Sequence, residues 1–193
     1  MSTPIDEIPF FKGLSAQDLV SIMGITRTIQ YEKDANIFNQ DDPSNGLYVL
    51  LKGKLQIYIR SGHIGGTAKV LATLTPGQYV GEFGLLDGEN RSASVKMLEE
   101  GEVLFLPSLA FGSIMDKHPH IADAVCGFLC DRIMSLPKLK LTSGKAALIR
   151  EKRVKPDLQN MKTLCQIVRE FNRQTAVKES LSGLSLGALL HGR

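Results

Sequence analysis

The chain has 193 residues, 43% of them hydrophobic and 22% charged, with a mean hydropathy of −0.02, enough to bury one sizeable core and an appendage in water. No apolar run approaches the roughly 18 residues that span a bilayer, and the start MSTPIDEIPFF has neither a basic nor a long apolar region; membrane and secreted classes are set aside and a cytoplasmic protein is expected. The net charge of +3 hides a division, because residues 1–135 carry 11 Lys/Arg and 16 Asp/Glu whereas residues 136–193 carry 12 and 4, an acidic body of net −5 and a basic tail of net +8.

In chain order, SAQDLVSIMG predicts a first helix, with Ser15 as N-cap, Asp18 at the third helical position and Gly24 as the stop. Pro9, Phe10 and Phe11 before it are placed to staple it to a core. From Ile25 the period changes to two. TRTIQYEKDANIF turns at Glu32 to Asp34, GLYVLLKGKLQIYIR is two strand-like runs pinched at Gly53, and KVLATL ends at the turn Thr75-Pro76-Gly77. SASVKML and EVLFLP are separated by Glu99-Glu100-Gly101. About seven short strands so spaced predict an antiparallel roll or barrel, a mainly β fold with flanking helices. After Pro107, SLAFGSIM reads as a short helix, and PHIADAVCGFLCDRIMSL as a longer one with Pro119 in its first turn and Pro137 at its end. Its apolar residues Ile121, Val125, Phe128, Leu129, Ile133 and Leu136 recur every three or four positions, and this stripe packs either on the roll or on a second copy or protein partner.

Catalysis finds little support. His63, His118, His120 and His191 are scattered, and no Ser, Cys or carboxylate has an evident basic partner. The three cysteines are an odd number without paired spacing, as in a thiol-reducing cytosol. His118, His120, Cys126 and Cys130 lie close in sequence, but their spacing matches no common metal motif, so structural cysteines are expected and neither a metal nor a cofactor.

The stretch GEFGLLDGENRSASV, residues 81–95, places an acid, Glu82, and a base, Arg91, among glycines and leucines. Gly81, Gly84 and Gly88 leave backbone uncovered, and Gly84-Leu85-Leu86 predicts a helical turn whose free N–H groups face an anion. Arg91 adds a planar fork suited to phosphate oxygens, Ser92 a hydroxyl and Ala93 an unobstructed amide. A carboxylate beside an anion repels it, so Glu82 makes sense facing a sugar hydroxyl, as acids do toward ribose. A structural Glu82–Arg91 ion pair is the competing reading. Asp87 and Glu89 are expected to be solvated loop acids.

GEFGLLDGENRSASV resembles the phosphate-binding cassette of cyclic nucleotide-binding domains, the family of the catabolite activator protein and the protein kinase A regulatory subunits. FFKGLS, GLYVLLKGKLQIYI and LTPGQYVGE extend the likeness over roughly residues 8–135. The resemblance implies a β-roll with flanking helices and no enzymatic activity. It implies Glu82 on the ribose 2′-OH, Arg91 on the cyclic phosphate, and Gly81, Phe83, Gly84, Leu85, Leu86, Ser92 and Ala93 completing the pocket. Cyclic AMP is favoured over cyclic GMP, although Ser92 suits either purine and Ser135-Leu136-Pro137, where the bacterial activator reads adenine, is mostly apolar. The expected division is a nucleotide-binding domain at 1–136 and a basic helical extension at 137–193.

The tail carries two expectations. Residues 158–181, with the core IVREFNRQTAVKESL, resemble a short or degenerate helix-turn-helix, in which Ile167, Val168, Phe171 and Asn172 end one helix and Arg173, Gln174 and Thr175 open the next. That implies DNA as a partner of the basic tail. The turn is about two residues short and no wing follows Leu181, so helices packed on the body or on a partner protein are preferred. The expected function is a cyclic-nucleotide sensor whose ligand repositions its C-terminal helices; the alternative is a ligand-responsive transcription regulator.

Overall fold

A computed structural model of the chain describes residues 4–60, 68–134, 149 and 159–174. A 3-10 turn at Ile5–Glu7 leads into helix α1, Ala16–Met23. Ser15 caps it as its sequence requires, its Oγ accepting from the Asp18 backbone N–H at 3.2 Å. Phe10 and Phe11 are buried in the core.

Eight strands follow: β1 Arg27–Tyr31, β2 Asn36–Phe38, β3 Gly46–Lys52, β4 Leu55–Arg60, β5 Ala68–Leu74, β6 Tyr79–Val80, β7 Ser94–Met97 and β8 Gly101–Pro107. They form two antiparallel four-stranded sheets in the orders β1-β8-β3-β6 and β2-β7-β4-β5, the mainly β roll expected. The strand absent from the sequence reading is β6. Two residues are too few to show a period, and it is recognised only by its pairing, Tyr48 with Val80 and Val49 with Tyr79.

The sheet containing β3 and β8 is buried on both faces. Leu47, Val49 and Leu51 of β3, with Leu104 and Leu106 of β8, join the core formed with the helices. Their neighbours Tyr48, Leu50, Val103 and Phe105 join the interior of the roll. Successive side chains point to opposite faces, which is why GLYVLL and VLFL read as continuous apolar runs rather than alternating ones.

Helices α2 Glu82–Asp87, α3 Ser108–Lys117 and α4 Pro119–Met134 complete the named elements, and residues 159–174 are helical. In α4 the stripe residues Ile121, Val125, Leu129 and Ile133 are buried, and Phe128 packs partly buried against the same core. That core also holds Met161, Leu164, Cys165 and Val168. The stripe is therefore covered within the chain. Leu136, Pro137 and the segment from Thr175 onward lie outside the described residues.

Candidate functional site

The predicted turn is helix α2, and it begins at Glu82 rather than at Gly84. By helix geometry its first unpaired amides are those of Glu82, Phe83 and Gly84; those of Leu85 and Leu86 fall inside the helical ladder. The reason lies in Gly81. Its φ of 96° is left-handed backbone, which turns the chain sharply off β6 into the helix. A Cβ on Gly81 would fall onto Nη1 of Arg91, and one on Gly84 would meet Ser44 and the carbonyl of Glu89. Both glycines permit close approach.

Arg91 is 2% exposed. Its Nη1 donates to the carbonyl of Gly81 at 2.9 Å, and its Nη2 to the carbonyl of Gly46 at 2.8 Å and to Oδ1 of Asn45 at 2.9 Å. The guanidinium lies over the Phe38 ring, 4.2 Å from its centroid. The loop before β3 also grips the backbone at this point, Arg91 N–H donating to Asp42 and Asp41 N–H to Arg91. Burial lowers the guanidinium from its ordinary value, while Tyr48, Glu82 and Asp42 favour the charged form; starting from a value so high, it stays charged at neutral pH. Nε is buried and has no hydrogen-bond partner among the described residues. The three bonds formed use three of the roughly five donors of a guanidinium. The sequence reading assigned the whole fork to a phosphate and missed Asn45, Gly46 and Asp42.

Glu82 is also buried. It lies close enough to Tyr79 and Cys165 to add to the burial that pushes the phenol and the thiol up. For Cys165, Asp87 acts in the same direction and Arg169 against it. The thiol stays protonated and unreactive at neutral pH.

These residues open on one cavity of about 190 Å³. Gly81, Glu82, Phe83, Gly84, Arg91, Ser92 and Ala93 line it; Leu85 does not, and lines a cavity of about 790 Å³ behind α2. Opposite the cassette stand apolar side chains, among them Ile57 and Leu71. Phe128 of α4 and Val168 and Asn172 of helix 159–174 complete the lining.

Asp87 fixes that helix in place. Its side chain is 1% exposed, contrary to the expectation of a solvated loop acid. It accepts from Arg169 Nε at 2.7 Å and Nη2 at 3.0 Å. Glu89 is exposed as expected. Helix 159–174 runs unbroken through Gln174, so the turn expected after Asn172 is absent. Cys126, Cys130 and Cys165 are buried, and among the described residues no group of three His, Cys, Asp or Glu side chains is arranged to hold a metal ion. No described helix is long and apolar enough to cross a membrane.

Comparison with known proteins places this geometry. The chain is 30% identical over 125 residues to the cyclic AMP receptor protein of Thermus thermophilus, covering 65% of this chain and 57% of that protein. It is 28% identical over 137 residues to glutaminase 1 of Bradyrhizobium diazoefficiens, covering 69% of this chain but 21% of the enzyme. The chain thus spans little more than half of the first relative and a fifth of the second. Its fold matches the sensor domain of the transcriptional regulator DNR from Pseudomonas aeruginosa with a TM-score of 0.58 at 20% identity, over 71% of this chain and 93% of that one. Residues 28–118, a little under half of the chain, match the cyclic nucleotide-binding domain, and that stretch contains the β-roll and its cassette.

Proposed function

We propose that this chain is a non-enzymatic, cytoplasmic sensor that binds a 3′,5′-cyclic nucleotide, cyclic AMP in preference to cyclic GMP, and that the ligand acts on a partner protein by repositioning helix 159–174. The observation that carries this reading is the cavity over α2. It gathers a buried guanidinium with an unpartnered Nε, a buried carboxylate, a hydroxyl and the first amides of a helix. Arg91 and those amides meet the cyclic phosphate; Glu82 accepts the ribose 2′-OH; Ser92 and Ala93 border the phosphate.

The same cavity supports the mechanical output. Val168 and Asn172 form part of its wall, so a ligand larger than the space now enclosed displaces helix 159–174 or is gripped by it. Either response gives the ligand a different affinity for two positions of the helix, which is the requirement for a switch.

Titration calorimetry of the full chain against cyclic AMP, cyclic GMP, 5′-AMP and 2′-deoxy cyclic AMP tests the reading. Cyclic AMP should bind most tightly, and 5′-AMP, with an open phosphate of higher charge, poorly. The 2′-deoxy ligand should lose about 1–3 kcal/mol because it leaves a buried carboxylate without its hydroxyl, and Glu82→Gln should erase most of that difference. Indifference of the wild type to the 2′-OH would make Glu82 a structural acid.

A further inference from the structure

A cleft of about 540 Å³ adjoins the nucleotide cavity and shares Arg91, Ser92 and Asn172 with its lining. Such a volume is that of a small-ligand site. The rest of its wall differs in kind from the nucleotide cavity. Arg60 enters at the end of β4, and Arg169 and Arg173 from helix 159–174, where one turn of separation sets both on the same face. Asp41 and Glu89 also line the cleft and offset part of this charge. Ile59 is its only apolar side chain among the described residues.

None of the three arginines is fully committed elsewhere. Arg60 lies with its guanidinium over the Tyr58 ring, 5.6 Å from the centroid, a contact made through the face of the fork that leaves its N–H edges available. Arg169 gives Nε and Nη2 to Asp87, and its Nη1 stands outside that pair. Arg173 meets Glu170 at 3.5 Å with side chains 73% and 55% exposed, a solvated pair of little strength. Guanidiniums gathered around one cleft repel one another, and an anion between them relieves the repulsion.

We propose that this cleft is a second anion site, separate from the nucleotide cavity, and that it takes the phosphoryl groups of a ligand without a base. The arginine forks match phosphoryl oxygens. A nucleobase needs apolar or aromatic contact on its ring faces, and a wall whose apolar part is Ile59 gives it little. Asp41 and Glu89 instead suit hydroxyl donors. Two sources carry this chemistry, inorganic diphosphate and a phosphorylated sugar.

Calorimetric titration of the full chain at constant ionic strength, with inorganic diphosphate and with fructose 1,6-bisphosphate as probes, tests the site. At least one probe should bind, and Arg60→Gln/Arg173→Gln should weaken it roughly tenfold or more. Both side chains are exposed, so urea denaturation should find the double variant as stable as wild type. Tighter binding of fructose 1,6-bisphosphate assigns the site to a phosphorylated sugar, and the reverse order assigns it to an inorganic anion; either order supports the site. Neither Arg60 nor Arg173 lines the nucleotide cavity, so failure here leaves the cyclic-nucleotide reading untouched. Absence of binding by both probes at millimolar concentration overturns the proposal. Binding that survives undiminished in the double variant overturns it as well, because the anion would then sit on Arg91 alone.

Discussion

At the scale of single residues, Arg91 holds a structural task that the sequence did not present, beside the one proposed for it on a phosphate. A charged fork in a glycine-rich run reads as an anion binder, because a guanidinium beside uncovered backbone amides suits phosphate oxygens. Its structural task was not legible, since the acceptors it serves on Asn45 and Gly46 lie 46 and 45 residues away in the chain. Truncation is therefore expected to cost stability as well as the proposed ligand affinity. Arg91→Ala strips buried acceptors on Gly81, Gly46 and Asn45 of their donor and should lower unfolding free energy by about 2–4 kcal/mol in urea denaturation. Arg91→Lys separates the two tasks better. An ammonium keeps the charge but cannot reach three acceptors in a plane, so it should lose roughly tenfold or more in cyclic-nucleotide affinity. Unchanged affinity in Arg91→Lys would mean that the fork is wholly structural. Gly81→Ala should behave as a folding variant, because the left-handed φ and the approach of Nη1 both exclude a side chain.

Among the elements, the link between α2 and helix 159–174 has the largest consequence for function. Asp87 and Arg169 make a two-bond ion pair with side chains 1% and 10% exposed, which joins the cassette to the helix over the cavity. Breaking such a pair from one side leaves a buried charge behind, whereas removing both partners does not. Arg169→Ala should therefore cost about 3 kcal/mol, and Asp87→Ala/Arg169→Ala should be closer to wild type than either single variant. Urea denaturation in a double-mutant cycle measures the coupling. Amide exchange over residues 159–174 should speed up in the single variants before global unfolding does; equal protection in all four proteins would deny the pair any role in holding the helix. The sequence revealed the helix-forming stripe of α4 and the strand pairs joined by short turns, because local periodicity and turn chemistry decide both. It did not reveal Asp87 as a buried partner, since Arg169 lies 82 residues away and an acid in a glycine-bounded stretch has the composition of a solvated loop. Nor did it say that the α4 stripe meets the chain's own later helix, because an apolar stripe records the need for cover but not its source.

For the whole molecule, the central fact is that one hydrophobic core runs from Ile8 and Phe10 through β3, β8, α3 and α4 to Met161, Leu164, Cys165 and Val168. The charge boundary near residue 136, so plain in the composition, does not coincide with a boundary in that core. Cutting the chain after Leu136 removes the basic tail of net +8, and with it one side of the packing around α4 and the Val168–Asn172 wall of the cavity. The truncated protein should lose several kcal/mol of unfolding free energy and bind ANS through the uncovered stripe, as expected when buried leucine- and isoleucine-sized side chains meet water at about 1.5–3 kcal/mol each. Its cyclic-nucleotide affinity should also change, because the ligand no longer works against a helix held by Asp87. Equal stability and affinity in both forms would establish the tail as a separate unit. The same construction argues against DNA as the first use of the tail. A recognition helix must present its face to the major groove, whereas helix 159–174 spends its apolar face on the core and Arg169 on Asp87. Electrophoretic shift assays with the full chain should show, at most, binding that falls steeply between low and physiological salt and does not depend on sequence. Sequence-preferring binding that responds to cyclic AMP would require this helix to leave the body. It would overturn the account of the helix as a wall of the ligand cavity.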